Sequence, residues 1–224
     1  MKVAVRTLAD LAPDYVLAPE RHVLAGGAAA SGDGIPLGEL VVERRERIDP
    51  GVTSAPARSA ARAGSGDAVV LDTSHARDGV LDVAGALRDG AGGKSAKKRA
   101  EAGDLVVSRL RPYLRQIALV HPSALALARG RPLALSTEFY VLAPRTPGDD
   151  LAFLVPFLLS KDTQAALASA QEGGHHPRVP RSSLFALRVP RSLLRTRVKT
   201  SRAVVEALAE TYRASSRLRA LLEA

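Results

Sequence analysis

Apolar positions in this chain fall into short runs that polar, glycine-rich or proline-rich stretches separate. Runs at 68–71, 105–107 and 117–120 contain three or four consecutive apolar residues and predict buried strands. A further strand is predicted at 184–190, where Pro190 would end it. These runs are too continuous for strands that expose one face to water, so we expect burial on both faces.

Two longer segments have the spacing of helices. Apolar residues recur at intervals of three and four over 153–170, and Gly173-Gly174 would form the C-terminal stop of this helix. A second helix is predicted over 196–224, which has a rough apolar stripe and contains neither glycine nor proline. Such a helix needs a partner face, either on its own domain or on another helix.

The remaining segments are less regular. We expect a short helix to start within 36–45, a turn at 48–53 and a basic surface loop at 55–66. Residues 89–95 form a predicted flexible loop. Small residues at 26–34 are typical of a linker, so the first 34 residues are interpreted as an arm.

The connection between the strands at 105–107 and 117–120 carries the most informative side chains. Arg109, Arg111 and Arg115 offer planar donor forks for phosphate or for a guanine edge. Tyr113 adds a stacking face and a hydroxyl, and Pro112 stiffens the loop by fixing its backbone. One arginine could instead turn inward as a structural ion pair, and the whole connection could be only a basic hairpin on a basic protein.

The overall charge agrees with a nucleic-acid partner without proving one. The 224 residues carry a formal net charge of +9, although a basic surface can also serve solubility alone. The absence of cysteine excludes disulfides, thiolate metal sites and a cysteine nucleophile. No signal peptide and no membrane-spanning run are evident, so we expect a cytoplasmic protein.

A basic segment precedes the arginine connection. Lys94, Lys97, Lys98 and Arg99 are interpreted as phosphate anchors. Gly93-Lys94-Ser95 matches the end of a phosphate-binding loop, but Arg88 stands where the first glycine is required, so a nucleotide site is disfavoured.

Catalytic patterns are absent or incomplete. A nuclease core could be drawn from Asp104 and Glu138, but Phe139-Tyr140 follow where a lysine is required. Asp104 is interpreted as a turn-former and Glu138 as a buried anchor of its strand.

No glycine-rich cofactor loop, N-P-P-Y tetrad or G-x-S-x-G elbow is found. With only four Phe and four Tyr, a single-strand binder built on stacking platforms is also disfavoured. We therefore expect no enzyme activity and no cofactor.

Six segments of the chain form a recognisable series. The most specific is G-D-L-V-V-S-R-L-R-P-Y-L at 103–114. The others are I-P-L-G-E-L at 35–40, 69–74 with D-G-V-L at 78–81, S-T-E-F-Y-V-L at 136–142, 153–180, and 184–190. In this order, the six segments resemble the target recognition domains of type I restriction–modification specificity subunits, the DNA-reading S subunits. Together they cover about two thirds of the chain.

The resemblance implies an α+β fold, with a twisted, partly barrelled sheet, flanking helices and a long C-terminal coiled-coil helix. It divides the chain into an arm at 1–34, a DNA target recognition domain at 35–192 and a dimerisation helix at 193–224. The usual P-P-x-x-E-Q start of that helix is replaced by Pro190-Arg191-Ser192-Leu193-Leu194, which weakens the expectation of docking to a standard partner.

The resemblance also places a second loop on the DNA-facing side. This loop carries His175, His176, Arg178 and Arg181, which could contact phosphates or bases. A metal site is disfavoured, because adjacent histidines on a strand point to opposite faces and Glu172 is the only nearby carboxylate. The alternative is a histidine that hydrogen-bonds its own loop.

The implied function is that of a non-catalytic, half-length specificity subunit that binds double-stranded DNA. Its implied partners are a modification (methyltransferase) subunit that uses S-adenosylmethionine, possibly a restriction subunit, and a second copy or another S chain paired through the C-terminal helix. Three alternatives remain: a recognition module of another defence or methyltransferase system, a basic protein-interaction module, and a degenerate nuclease.

Overall fold

A computed structural model describes residues 33–49, 68–90 and 95–222. Residues 1–32 of the predicted arm, the loop at 55–66 and Lys94 lie outside the described residues, while Gly34, the last residue of the predicted arm, belongs to the first strand. The strands are β1 Gly34–Pro36, β2 Val41–Glu43, β3 Arg47–Ile48, β4 Val69–Leu71, β5 Ala76–Arg77, β6 Val80–Leu81, β7 Lys97–Ala100, β8 Leu105–Ser108, β9 Ile117–Leu119, β10 Leu133–Leu135, β11 Phe139–Pro144 and β12 Arg188–Pro190. The helices are α1 Leu37–Leu40, α2 Val83–Asp89, α3 Pro122–Leu127, α4 Leu154–Leu158, α5 Lys161–Ser169, α6 Arg181–Phe185, α7 Arg191–Arg195 and α8 Arg197–Leu222.

The strands form two four-stranded sheets and two small two-stranded ones. One large sheet has the order β2-β11-β8-β9 and is antiparallel throughout. The other has the order β3-β7-β10-β4, with β4 and β10 parallel. Strands β1 and β12 pair antiparallel, as do β5 and β6. The predicted α+β fold with a long C-terminal helix is confirmed.

Within the sheet β2-β11-β8-β9, strands β8, β9 and β11 are buried on both faces, which explains their continuous apolar runs. Along β8, Leu105 and Val107 enter one hydrophobic cluster, and Val106 enters the other. Strand β9 alternates in the same way, with Ile117 on the first side and Ala118 on the second. The first cluster is shared with α4 to α6 and α8, and the second with β4, β10 and α2. The sheet is therefore a central layer between the two hydrophobic clusters, and its strands position the loops that connect them.

Two predicted elements are corrected by the structure. The single helix predicted over 153–170 is two helices, α4 and α5, because Ser160 adopts an extended backbone between them. Its hydroxyl oxygen accepts a hydrogen bond from the Thr163 amide at 3.3 Å and so caps α5. The strand predicted at 184–190 is shorter, since α6 occupies its first residues and only β12 pairs with β1.

The N-terminal region also departs from the predicted pattern. The short helix expected within 36–45 is only the four residues of α1, and β2 follows it directly. The segment from 81 to 87, whose pattern predicts no clear element, forms the end of β6 and most of α2.

Helix α8 packs on the domain through its first half and projects beyond it. Ser201 accepts a hydrogen bond from the Phe153 amide at 3.1 Å, and Leu208 is buried in the first hydrophobic cluster. The Tyr212 hydroxyl accepts a hydrogen bond from the Leu81 amide at 3.0 Å and donates one to the Leu81 carbonyl at 3.1 Å. After Tyr212 the helix has no buried residue, and Leu218, Leu221 and Leu222 are exposed.

Within the described parts of the chain, none of the helices has the length and apolar character needed to span a membrane.

Candidate nucleic-acid interface

The arginine connection forms the loop between β8 and β9, as the sequence predicts. Strand β8 pairs antiparallel with β9, and the Ser108 amide donates to the Gln116 carbonyl at 2.9 Å, closing the loop at its base. Residues Pro112–Leu114 form a single 3-10 turn at the tip. Arg111 and Arg115, on either side of this turn, both have left-handed backbones with φ of 44° and 55°. We call residues 109–116 the arginine loop.

Arg115 is the arginine that forms a structural ion pair, although its side chain remains 43% exposed. Its Nε donates to Asp78 Oδ1, and its Nη1 donates to the Leu159 carbonyl at 2.9 Å. The Asp78 amide in turn donates to the Arg115 carbonyl at 3.1 Å. Arg115 therefore anchors the loop to the β5–β6 turn and to the end of α4, and its guanidinium is already engaged.

Arg109 lies against a buried tyrosine. Its guanidinium carbon is 5.4 Å from the centre of the Tyr140 ring, a cation–π arrangement, and its Nε is buried without a hydrogen-bond partner. Burial raises the pKa of Tyr140, despite the opposing charge of Arg109. The Tyr140 hydroxyl donates to the Val179 carbonyl at 2.8 Å, and the Val179 amide donates to the Arg109 carbonyl at 2.8 Å. These bonds join the arginine loop to the segment around residue 179.

That segment begins with a small hairpin, residues 172–178, which we call the histidine loop. Glu172 and Arg178 exchange backbone hydrogen bonds of 2.9 and 2.8 Å, and Gly173 takes a left-handed φ of 102° that allows the reversal. His175 and His176 are exposed, with ring centroids 5.6 Å apart at an angle of 60°. The two rings are thus presented to solvent at the tip.

A charged pair braces the histidine loop. The Glu138 carboxylate accepts from Arg178 Nε at 2.9 Å and from Nη2 at 2.6 Å, while Arg178 Nη1 donates to the His176 carbonyl at 3.1 Å. The hydrogen bonds from Arg178 hold the pKa of Glu138 below its usual range. Sequence patterns predicted Glu138 as a buried strand anchor. Instead it precedes β11, is a quarter exposed, and anchors a neighbouring loop.

The two loops form the walls of one open cleft of about 480 Å³. Five predicted site residues line the cleft, namely Arg111, Tyr113, His175, His176 and Arg178. The lining residues that were not predicted are Thr73, Leu110, Leu114, Gln116, Gln171 and Pro177. Gln116 and Gln171 carry amides of the kind that pair with adenine edges. Gln116 could have been found from the sequence, since it lies in the same connection as the arginines.

Arg111 differs from the other arginines of the cleft region. Its side chain is exposed, and among the residues that the structure describes it forms no ion pair or hydrogen bond. Tyr113 is 67% exposed at the adjacent tip. These two side chains are therefore available to a partner, as are the exposed rings of His175 and His176.

The remaining predicted residues lie outside the cleft lining. Lys97, Lys98 and Arg99 lie on β7, in the second large sheet. Lys98 donates to Glu43 at 3.0 Å and to the Phe139 carbonyl at 2.6 Å, so its ammonium already has internal partners. Arg99 pairs with Glu46 at 2.9 Å but remains 42% exposed, and Lys97 donates to Ser95 at 3.2 Å.

Arg181 follows the histidine loop at the start of α6. Its Nε donates to Glu43 at 3.1 Å, and its guanidinium carbon lies 3.9 Å from the centre of the Phe185 ring. Glu43 thus holds both Arg181 and Lys98. Both cations have structural roles, although Arg181 is still 47% exposed.

No group of three metal-ligating side chains is found in residues 33–49, 68–90 and 95–222. Asp104 is 1% exposed and accepts from Arg44 Nε at 2.8 Å and from the Glu101 amide at 2.9 Å, so it closes a turn.

The fold is similar to solved structures of restriction–modification proteins. One comes from work on complex assembly and conformational transition of the type I R-M system (23% identity, TM-score 0.49, 85% of this chain and 46% of that chain). Another is the HsdS subunit from Thermoanaerobacter tengcongensis (24% identity, TM-score 0.45, 84% of this chain and 44% of that chain). The chain spans less than half the length of either. No protein-family model and no curated protein matches it.

Proposed function

We propose that this protein is a non-catalytic specificity subunit of a type I-like restriction–modification system and that it binds double-stranded DNA in a sequence-specific manner. The observation that carries the proposal is the cleft between the arginine loop and the histidine loop. It brings cationic, aromatic and amide side chains from distant parts of the sequence together in one open cleft.

The side chains of the cleft match the two tasks of a DNA reader. Contacts to phosphates supply affinity and fix the position of the protein on the duplex. Guanidinium groups and side-chain amides that enter a DNA groove and contact base edges supply the sequence information. Arg111 has the donor fork that fits a guanine edge, and Gln116 and Gln171 have amides that fit adenine. His175 and His176 can donate to phosphates or bases. Lys97 and Arg99, which keep part of their side chains exposed, are proposed as phosphate contacts outside the cleft lining. Lys94 is also proposed as a phosphate contact, on its sequence alone.

The motifs at 103–114 and 136–142 support the family assignment. The first contains strand β8 and most of the arginine loop, and the second contains most of strand β11, which pairs with β8. By the same resemblance, the protein would direct a methyltransferase subunit and possibly a restriction subunit. The exposed distal leucines of α8 support pairing with a second copy or with another S chain.

Selection from a randomised duplex library tests this function. The purified protein would be incubated with the library at two salt concentrations, and the bound DNA sequenced. We expect an enriched motif of a few base pairs, present as a split site if the protein pairs through α8. Salt-sensitive binding without a motif would contradict sequence reading by this chain alone, and no binding at low salt would favour a protein-interaction module.

A further inference from the structure

The tip of the arginine loop is apolar although its surroundings are charged. Tyr113 is 67% exposed and Leu114 is 37% exposed. The two other tyrosines among the described residues, Tyr140 and Tyr212, are buried at 4% and 5% exposure. Tyr113 and Leu114 are adjacent in the 3-10 turn and both line the cleft, so a partner that enters the cleft would meet them.

The backbone holds this tip outward. Arg111 and Arg115 occupy the left-handed region on either side of the 3-10 turn, a conformation that non-glycine residues adopt only where the surroundings impose it. Here Asp78 and the Leu159 carbonyl hold Arg115, and the turn packs against α5. The tip is therefore braced from below rather than free to fold back over its apolar side chains.

Cationic and imidazole groups surround the tip. Arg111 precedes it, and His175, His176 and Arg178 form the opposite wall of the cleft. A DNA backbone held by these groups would bring the base stack against Tyr113. Leu114 has no donor or acceptor with which to read a base edge, and Tyr113 has only its hydroxyl, so the chemistry of the tip suits contact with the faces of bases.

We propose that Tyr113, supported by Leu114, acts as a wedge that inserts between two neighbouring base pairs and partly unstacks them. This inference rests on the proposed DNA-binding function and adds a specificity-determining role to it. Unstacking is least costly at pyrimidine–purine steps such as TA and CA/TG. The bound target therefore contains such a step at the wedge position, selected by its deformability rather than by hydrogen bonds.

The test uses the full-length protein and the duplex enriched from the library, with 2-aminopurine placed at each position in turn. Unstacking of this base analogue raises its fluorescence, so wild-type protein should raise the signal at one step. Tyr113→Ala should abolish that rise at saturating protein, while Tyr113→Phe should keep it because the ring remains. Arg111→Ala is the matched control in the same loop: it should require more protein yet reach the full signal.

The possible outcomes distinguish failure of the wedge proposal from failure of the proposed DNA-binding function. A selective complex with no fluorescence rise at any position, or an equal rise with Tyr113→Ala, overturns the wedge and leaves DNA reading in place. Failure of the wild-type protein to bind any duplex overturns the proposed function and the wedge with it. Urea unfolding curves of wild type and Tyr113→Ala should coincide, because the removed ring is exposed.

Discussion

Glu138 and Arg178, 40 positions apart in the chain, meet in a three-bond pairing in which both carboxylate oxygens accept from the guanidinium. The Glu138 carbonyl also accepts from the Arg109 amide at 2.8 Å. One residue therefore contacts the arginine loop through its backbone and the histidine loop through its side chain. The pair sets the relative position of the two walls of the cleft.

Replacement of Glu138 by Gln should separate affinity from specificity. Loss of one negative charge beside the cleft should tighten binding to scrambled duplexes and make it more salt-dependent, while the looser histidine loop should weaken the preference for the enriched site. Glu138→Asp is the matched control, since it keeps the charge but shortens the reach. It should lower the preference without tightening non-specific binding. Anisotropy titrations with both duplexes measure this, and an unchanged affinity ratio in both variants contradicts the bracing role.

Asp104 should be a stability residue and not a binding one. It is buried and accepts from Arg44 and from the Glu101 amide, so Asp104→Ala should lower the free energy of unfolding by about 1–3 kcal/mol. Urea denaturation measures the loss. Glu39→Ala, a change at an exposed position of α1, is the control and should have little effect. A stable Asp104→Ala variant with lost DNA binding would instead assign Asp104 to the site.

The Tyr212 hydroxyl should account for part of the docking of α8. Tyr212→Phe leaves both backbone groups of Leu81 without their partner and should cost about 1–3 kcal/mol of unfolding free energy. Tyr113→Phe removes an exposed hydroxyl and should be neutral. Equal stability of Tyr212→Phe and wild type would show that the hydroxyl contributes nothing to docking.

The raised pKa of Tyr212 leads us to expect a loss of stability at high pH. Burial raises the pKa of Tyr212 to about 12, while the unfolded chain ionises near 10, so its contribution is complete below about pH 10 and is lost as pH rises through about 12. The stability difference between wild type and Tyr212→Phe should therefore shrink over that range in urea titrations.

His121 predicts a loss of stability in mild acid. Its ring is buried, stacks on Tyr212 at 5.7 Å, and accepts from the Ser123 amide at 3.1 Å through Nδ1, which requires the neutral form. Burial lowers its pKa, although the Val205 backbone partly opposes this. The unfolded chain takes up the proton first, so stability is full above about pH 6.5 and falls as pH drops below it. His121→Asn should flatten this dependence, whereas His175→Asn, at an exposed position, should not.

Local pattern was sufficient to predict the strand pair and the loop between them. Apolar runs at 105–107 and 117–120 flank a polar connection. Because strands that are buried on both faces have continuous apolar runs, the two runs identify the strands directly. The break between α4 and α5 was missed because Ser160 competes locally as a cap inside an otherwise periodic segment.

Ion pairs between residues that are far apart in the sequence were the second feature that the sequence could not predict. Whether a cation is available depends on acids far away in sequence: Glu43 engages Lys98, 55 positions later, and Asp78 engages Arg115, 37 positions later. The spacing of apolar and polar residues along the chain contains no information about such contacts. The sequence therefore identified the basic segments, but only the structure distinguished Arg111 from its internally paired neighbours.

The central claim is that exposed side chains of the cleft read duplex DNA. The most direct measurement is the affinity of wild type, Arg111→Ala and Arg213→Ala for the enriched and the scrambled duplex over a series of salt concentrations. If Arg111 reads a base, its loss should cost about 1–3 kcal/mol on the enriched duplex alone; if it contacts phosphate, the salt slope should fall by about one on both duplexes. Arg213→Ala, an equal charge change on the distal part of α8, should alter neither quantity. Identical affinities and slopes for Arg111→Ala and wild type would contradict the account.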